Sequence, residues 1–198
     1  MEKLSREQIE QIGNTILSES DIIANHGTTI NNGLSIMNTG LNFNRTSMII
    51  NDGNIIKLCT YGWKETAIGD SSNIIISIPK SFLKSLLGYD DEQYNNWITK
   101  IKTSDDKQPV INSVCDTEII SGPFFKSTLP KEFIRGMFIY TDGTNRSSFL
   151  NNQEEGMNHL TYIDNKNYYE NLTEEEQKSF VSEMRKKMFD EDTPNKTR

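Results

Sequence analysis

Apolar residues at the start of the chain follow the spacing of an amphipathic helix. Ile9, Ile12 and Ile16 recur at three- and four-residue steps, and Ser5 precedes acidic residues of a first turn. A serine in that place can accept a hydrogen bond from a backbone N–H group of the turn. The pattern therefore predicts a capped helix over residues 5–18.

A second helix is predicted after a short extended segment. Residues 22–24 lead into His26-Gly27-Thr28-Thr29, and three apolar residues then follow at helical spacing: Ile30, Leu34 and Met37. Thr28 or Thr29 is the predicted N-cap and Gly40 the predicted stop, which leaves a short helix between them.

The middle of the chain changes to a strand-like pattern. Residues 48–50 and, apart from Lys57, residues 55–59 are apolar and flank Asn51-Asp52-Gly53-Asn54, a turn sequence that predicts a β-hairpin. The β-branched run at 74–78 is too short for a helix and predicts a buried strand. A proline at 79 then opens a helix predicted to run to residue 87.

Helices concentrate early in the chain and strands late. A helix is predicted over residues 90–102, and strands around 110–111, 117–121 and 133–140. Because these elements lack the regular strand–helix alternation of a parallel sheet, their order predicts an α+β fold. Residues 145–171 are polar and rich in asparagine, and we expect them to be irregular.

A final helix is predicted from Thr173, where a run of acidic residues forms the first turn. Phe180, Met184 and Met188 share one face of this helix, and we expect that face to pack on the domain. From Asp190 onward the sequence is typical of a frayed tail.

Composition and charge exclude several classes of protein. The chain has 198 residues, 34% of them hydrophobic, and a formal net charge of −7. Its apolar runs are far shorter than the ~20 residues of a membrane-spanning helix, so we expect no membrane span. The acidic balance disfavours nucleic acid as a partner, because phosphate binding depends on lysine and arginine.

Cysteine and histidine are too scarce for a disulfide framework or a zinc site. The cysteines are Cys59 and Cys115, and the chain has only 2 histidines, so we expect a reducing compartment and no metal. The N-terminus lacks the basic-then-apolar order of a secretory signal. The expected location is the cytoplasm, or a host cell reached without a standard signal peptide.

Residues with chemical potential are spread over three segments. His26-Gly27-Thr28 lies where the extended segment meets the second helix, and that helix ends in Thr39-Gly40-Leu41. Tyr61 follows a predicted strand, and Glu118 begins an apolar one. Common phosphate-loop, dinucleotide-turn, metalloprotease and nucleophile-elbow motifs are absent.

These residues resemble the His, Tyr and Glu motifs of ADP-ribosyltransferases of the diphtheria-toxin and poly(ADP-ribose) polymerase type. The His-Gly-Thr element, its helix and the Gly-Leu end are similar to the first motif of that family. Residues 117–120, followed by 129–136, are similar to the third, in which a catalytic Glu opens a strand. The resemblance covers residues 22–140 and implies a split β-sandwich core with flanking helices.

The resemblance implies a role in the use of NAD for each of these residues. Glu118 would be catalytic, stabilising positive charge that develops on the nicotinamide ribose. His26 would hold the adenosine-side ribose, and Tyr61 would stack on the nicotinamide ring. Gly27 and Thr28 would complete the NAD-binding element, with the Gly27 backbone close to the nicotinamide carboxamide. The resemblance implies no metal.

Each residue also has a structural explanation. A histidine before a glycine, such as His26, is typical of a turn, and Tyr61 can be an ordinary aromatic at a strand end. Glu118 lies beside Asp116, and both can be solvated residues entering a strand. Glu65 is the competing acid after Tyr61, and a solvent-facing position explains it.

The expected function is a mono-ADP-ribosyltransferase, such as a bacterial toxin or effector. It would cleave NAD at the nicotinamide–ribose bond and transfer ADP-ribose to a macromolecular acceptor, with protein favoured over nucleic acid. Two alternatives stay open. One is an inactive module of the same fold that binds NAD, ADP-ribose or a protein. The other is an NAD-dependent RNA 2′-phosphotransferase, for which only Arg45, Lys57 and Lys64 provide basic residues near the site.

The expected organisation follows from the extent of the resemblance. Residues 1–21 would form an N-terminal helix packed on the core, and 22–144 the ADP-ribosyltransferase-like core. Residues 145–189 would supply a polar connection and the C-terminal helix, and 190–198 a flexible tail.

Overall fold

The structure, a computed structural model, describes residues 2–42, 49–50, 53–60, 71–103, 128–140 and 160–189. Within them the strands are β1 (Ser20–Thr29), β2 (Leu41–Asn42), β3 (Ile49–Ile50), β4 (Ser71–Pro79), β5 (Thr128–Leu129), β6 (Ile134–Tyr140) and β7 (Leu160–Asp164). The helices are α1 (Arg6–Glu19), α2 (Ile30–Thr39), α3 (Ile55–Thr60), α4 (Lys80–Leu87), α5 (Asp91–Thr103) and α6 (Glu174–Phe189). Turns of 3-10 helix lie at Lys131–Phe133 and Tyr169–Asn171.

An antiparallel sheet joins elements from across the sequence. Its strand order is β3-β1-β4-β6-β7, and each neighbouring pair is antiparallel. The long strands β1 and β4 pair from Ser20 opposite Pro79 to Thr29 opposite Ser71. Strands β2 and β5 form a separate two-stranded ladder. The predicted α+β class is confirmed, with an antiparallel sheet and flanking helices.

One face of the sheet is covered by α1 and α3. Ile9 and Ile16 of α1 and Leu58 of α3 belong to one buried cluster with Ile75 and Phe138 of the sheet. The two helices approach closely, because a Cβ on Gly13 would lie 2.9 Å from Cγ2 of Ile55.

The opposite face is covered by α2, α4, α5 and α6. Alternate residues of a strand point to opposite faces of a sheet, and accordingly Ile74 and Ile76 belong to this second cluster while Ile75 belongs to the first. The helical members of the second cluster are Met37, Phe82, Leu83, Leu86, Tyr94, Ile98, Val181 and Met184. Burial of these apolar side chains holds the helices on the sheet.

The predicted starts of the first two helices are confirmed. Ser5 Oγ accepts a hydrogen bond from the Gln8 N–H at 3.2 Å, and Gln8 Oε1 accepts one from the Ser5 N–H at 2.8 Å. Thr29 is the cap of α2, because its Oγ1 accepts a hydrogen bond from the Asn32 N–H at 3.3 Å. Side-chain oxygens thus satisfy N–H groups that have no partner inside the helix.

The C-terminal helix packs on the domain, as its apolar face predicts. Met184 is buried, and the Phe180 ring lies 5.6 Å from the ring of Phe82, measured between centroids. At its start, the Thr173 N–H and hydroxyl donate to Glu176, and these hydrogen bonds lower the pKa of that carboxyl.

The predicted hairpin at 48–59 is wrong in its second half. Residues 55–60 form α3, and the short strand β3 pairs with β1 instead. Ile55, Leu58 and Cys59 recur at helical spacing, and all three pack in the cluster beneath α1. A short apolar run cannot be assigned to strand or helix by periodicity alone, and packing decides it here.

The expectation of irregular chain over residues 145–171 is also wrong for its last part. Leu160–Asp164 is a strand of the sheet, with Leu160 opposite Tyr140 and Gly136 opposite Asp164. The polar, asparagine-rich sequence before it hides this strand, in which Leu160 and Thr161 are buried. The strands predicted around 110–111 and 117–121 and the tail from 190 lie outside the described residues.

Candidate functional site

His26, Gly27 and Thr28 lie together in the second half of β1. The ladder places His26 opposite Ile74 of β4 and Gly27 opposite Asn73. His26 and Gly27 are half-buried and Thr28 is buried. His26 is therefore a strand residue rather than the turn residue that a His-Gly pair suggests.

Helix α2 follows this strand at once and packs closely on the sheet. A Cβ on Gly33 would lie 2.7 Å from Ser72 Oγ and 2.8 Å from Met137 Sδ, so the glycine is what permits the approach. Ser72 Oγ in turn donates to the carbonyl oxygen of Thr29 at 3.1 Å. The start of α2 is thus fixed against β4 and β6, directly after the residues of the His-Gly-Thr element.

Helix α2 ends at Gly40, which directs the chain into β2. Its φ of 85° is in the range that favours glycine, and its N–H donates to the Ile36 carbonyl at 2.8 Å. Leu41 then pairs with Leu129 of β5. The His-Gly-Thr and Gly-Leu parts of the sequence pattern are therefore the two ends of one strand–helix–strand unit.

Two buried asparagine side chains, one on β1 and one on β4, lie on the face of the sheet opposite to the His26 side chain. Asn25 Nδ2 donates to the Leu58 carbonyl at 2.8 Å and to Asn73 Oδ1 at 3.3 Å. Asn73 Nδ2 donates to the same carbonyl at 2.6 Å. Only 2% of Asn25 and 0% of Asn73 is exposed, which makes these bonds hard to replace with water. We call Asn25 and Asn73 the amide pair.

The amide pair is not among the candidate residues predicted from the sequence. The available signal is an asparagine inside an apolar strand pattern, since a buried amide needs hydrogen-bond partners. Asn25 follows Ile22-Ile23-Ala24, and Asn73 precedes Ile74-Ile75-Ile76. Neither position reveals that both amides meet at a carbonyl of α3.

The other predicted site residues, Tyr61 and Glu118, lie outside the described residues, as do Glu65 and Asp116. Helix α3 ends at Thr60, the residue directly before Tyr61 in the sequence. The structure therefore places His26, Gly27 and Thr28 in succession on β1, and their convergence with Tyr61 and Glu118 stays a prediction.

Cys59 is a buried structural residue. None of its surface is exposed, and burial raises the pKa of its thiol to about 12. A protonated, enclosed thiol is a poor nucleophile and a poor metal ligand. Its place in the apolar cluster beneath α1 is that of a small core residue.

The charged cluster around Arg135 lies at the junction of α1, β6 and β7. Arg135 Nε donates to Glu19 Oε2 at 2.9 Å, and Nη1 donates to Asp164. The guanidinium carbon also lies 4.9 Å from the centre of the Tyr168 ring. With both carboxylates and an aromatic face engaged, Arg135 ties these elements together.

Within the described ranges, no group of three or more His, Cys, Asp or Glu side chains could hold a metal ion. Across the same residues, no helix has the length and hydropathy to cross a membrane. When the chain is compared with protein-family models, curated proteins and solved structures, it matches none of them.

Proposed function

We propose that this chain is a mono-ADP-ribosyltransferase that cleaves NAD at the nicotinamide–ribose bond and transfers ADP-ribose to a protein. The observation that carries the proposal is the strand–helix–strand unit, in which His26-Gly27-Thr28 on β1 leads directly into α2 and on to Gly40-Leu41. This is the arrangement expected for the first motif of the family that the sequence resembles.

The split β-sandwich is part of the proposal. Its support is the β2–β5 ladder, which is separate from the main sheet and begins directly after α2. A ladder at that place can be the edge of a second sheet, and the chain before β5 would supply its remaining strands.

The proposed chemistry breaks the bond between the anomeric carbon of the ribose and the nicotinamide nitrogen. The bonding electrons leave with nicotinamide, and the ribose develops oxocarbenium character that the Glu118 carboxylate stabilises. A nucleophilic group of the acceptor then bonds to the anomeric carbon and gives up its proton. His26 binds the adenosine-side ribose, the backbone of Gly27 receives the carboxamide, and Tyr61 stacks on the leaving ring.

Half-burial of His26 and Gly27 supports a binding role. Both are accessible enough to meet a ligand, yet both are held in the ladder with β4, so their positions are fixed before binding. Preorganisation of this kind lowers the entropic cost of binding. The net charge of −7 makes a protein the favoured acceptor over a nucleic acid.

Nicotinamide release from NAD tests the proposal. The full chain should release nicotinamide, and Glu118→Ala should lower the rate about 100-fold or more, the size of loss typical when a preorganised electrostatic stabiliser is removed. Glu65→Ala is the matched control, because it removes the competing carboxylate and should leave the rate unchanged. Equal release with and without Glu118 would refute the mechanism.

Calorimetric titration with NAD distinguishes the enzyme from the alternative of an inactive module that only binds NAD. Tight binding without nicotinamide release would show that the chain binds the dinucleotide but does not cleave it. Absence of both binding and release would refute the enzyme and the NAD-binding module together.

A further inference from the structure

We infer that the amide pair Asn25 and Asn73 is a positioning element for the NAD site, acting from the face of β1 opposite to His26. The inference rests on the proposed function. It gives a positioning role to two residues that are not proposed to contact NAD.

Two of the three hydrogen bonds of the amide pair converge on one atom. A carbonyl oxygen has two lone pairs, and both amides donate to that of Leu58, at 2.8 Å from Asn25 and 2.6 Å from Asn73. The second N–H of Asn25 is used by Asn73 Oδ1 at 3.3 Å. These three hydrogen bonds join β1, β4 and α3 inside the protein.

The ladder explains how the two side chains meet. Asn25 lies opposite Ile75, and Asn73 lies opposite Gly27, so the asparagines are diagonal neighbours on the same face. The backbone positions that hold them are the neighbour of His26 and the partner of Gly27. Displacement of either amide therefore moves the backbone of the residues proposed to bind NAD.

The amide pair also fixes the end of α3. This helix has only six residues and cannot hold itself in place. Its Leu58 carbonyl is held by β1 and β4 at once, two residues before the chain continues from Thr60 to Tyr61. A single set of hydrogen bonds thus positions the His-Gly strand and the helix that leads to the proposed stacking aromatic.

Substitution Asn73→Ala removes two of the three bonds. We expect the KM for NAD to rise about 10-fold, the change that follows when contacts equivalent to one ordinary hydrogen bond to the ligand are lost. The kcat should change much less, because the displaced groups hold NAD equally in the ground and transition states. If Asn73→Ala does not fold, Asn73→Ser keeps a hydroxyl donor and serves for the same comparison.

Asn165→Ala is the matched control. Asn165 is also buried, and its Nδ2 also donates to two carbonyls, those of Lys131 at 3.0 Å and Ile134 at 2.8 Å. It lies beyond β7, away from β1. Asn165→Ala should lower the free energy of unfolding about as much as Asn73→Ala does and leave the KM for NAD unchanged.

Alkylation of Cys59, followed by mass spectrometry of the Cys59 peptide, gives a readout that does not depend on NAD. Cys59 adjoins Leu58 and is fully buried, so release of α3 should raise its alkylation rate. We expect this rate to rise in Asn73→Ala and not in Asn165→Ala.

The outcomes separate the inference from the proposed function. A wild-type chain that uses NAD, combined with an unchanged KM in Asn73→Ala or an equal rise in Asn165→Ala, would overturn the positioning role and leave the function standing. An unchanged Cys59 rate in Asn73→Ala would overturn the role as well. A wild-type chain that neither binds nor cleaves NAD would overturn both.

Discussion

Gly40 and Gly88 allow a controlled test of how α2 is joined to β2. Both glycines end a helix with positive φ, 85° at Gly40 and 68° at Gly88. A Cβ on Gly88 would meet nothing within 4 Å, whereas a Cβ on Gly40 would lie 2.2 Å from the carbonyl oxygen of Leu129. That oxygen belongs to the backbone of β5 and cannot turn away as a side chain would.

The expected losses differ in size. Gly88→Ala brings only the backbone strain of a left-handed residue and should lower the free energy of unfolding by about 1–2 kcal/mol. Gly40→Ala adds the displacement of β5, which disturbs the pair formed by Leu41 and Leu129, both buried. The backbone of Gly40, at φ 85° and ψ 179°, is in a region that glycine almost alone occupies, so an alanine there is strained by about 1–3 kcal/mol. Exposing part of one such leucine costs about 1–2 kcal/mol more, so we expect a total of about 2–5 kcal/mol from strain and displacement together.

Urea unfolding followed by circular dichroism measures both variants under the same conditions. Gly40→Ala is predicted to lose about 1–3 kcal/mol more than Gly88→Ala. Losses that agree within about 0.5 kcal/mol would refute the reasoning, because neither the contact with Leu129 nor the backbone region of Gly40 would then cost more than the strain at Gly88.

Three further predictions concern stability. Ser5→Ala should cost about 1 kcal/mol of unfolding free energy through loss of the α1 cap, and no loss in urea titration would contradict the cap. Arg185→Met should cost about 1 kcal/mol, since Arg185 Nε donates to the Leu86 carbonyl near the end of α4 at 3.1 Å; Lys186→Met on the exposed face is the control. Above pH 9.0 the free energy of unfolding should fall by about 1.4 kcal/mol per pH unit for each buried acid that loses its proton in the unfolded chain but keeps it in the folded chain. Burial raises the pKa of Cys59 to about 12, and burial and Asp21 raise the pKa of Tyr94, so a flat stability profile over pH 9.0 to 12 would contradict this.

Elements with strong local signals could be predicted from the sequence. Ser5 and Thr29 cap their helices because the capping side chain and the N–H group that it serves are three residues apart. The β-branched run at 74–78 forms the central strand β4 because its residues are buried on both faces.

Elements decided by distant partners could not be predicted. Ile55–Thr60 is helical because it packs under α1 and is held by amides on β1 and β4, all far away in sequence. Leu160–Asp164 is a strand because it pairs with β6, although the sequence before it is polar and gives no sign of a sheet. The same limit applies to the candidate site, where the sequence predicts a binding role for His26 but does not point to the amide pair on the other face of β1.

A crystal structure of the full chain with NAD bound would decide whether the proposed site exists. We expect one NAD molecule with its adenosine-side ribose hydrogen-bonded to His26 and its nicotinamide ribose hydrogen-bonded to Glu118, with the carboxamide against the backbone of Gly27. NAD bound elsewhere on the chain, or Glu118 and His26 on separate surfaces that no single dinucleotide contacts, would contradict it.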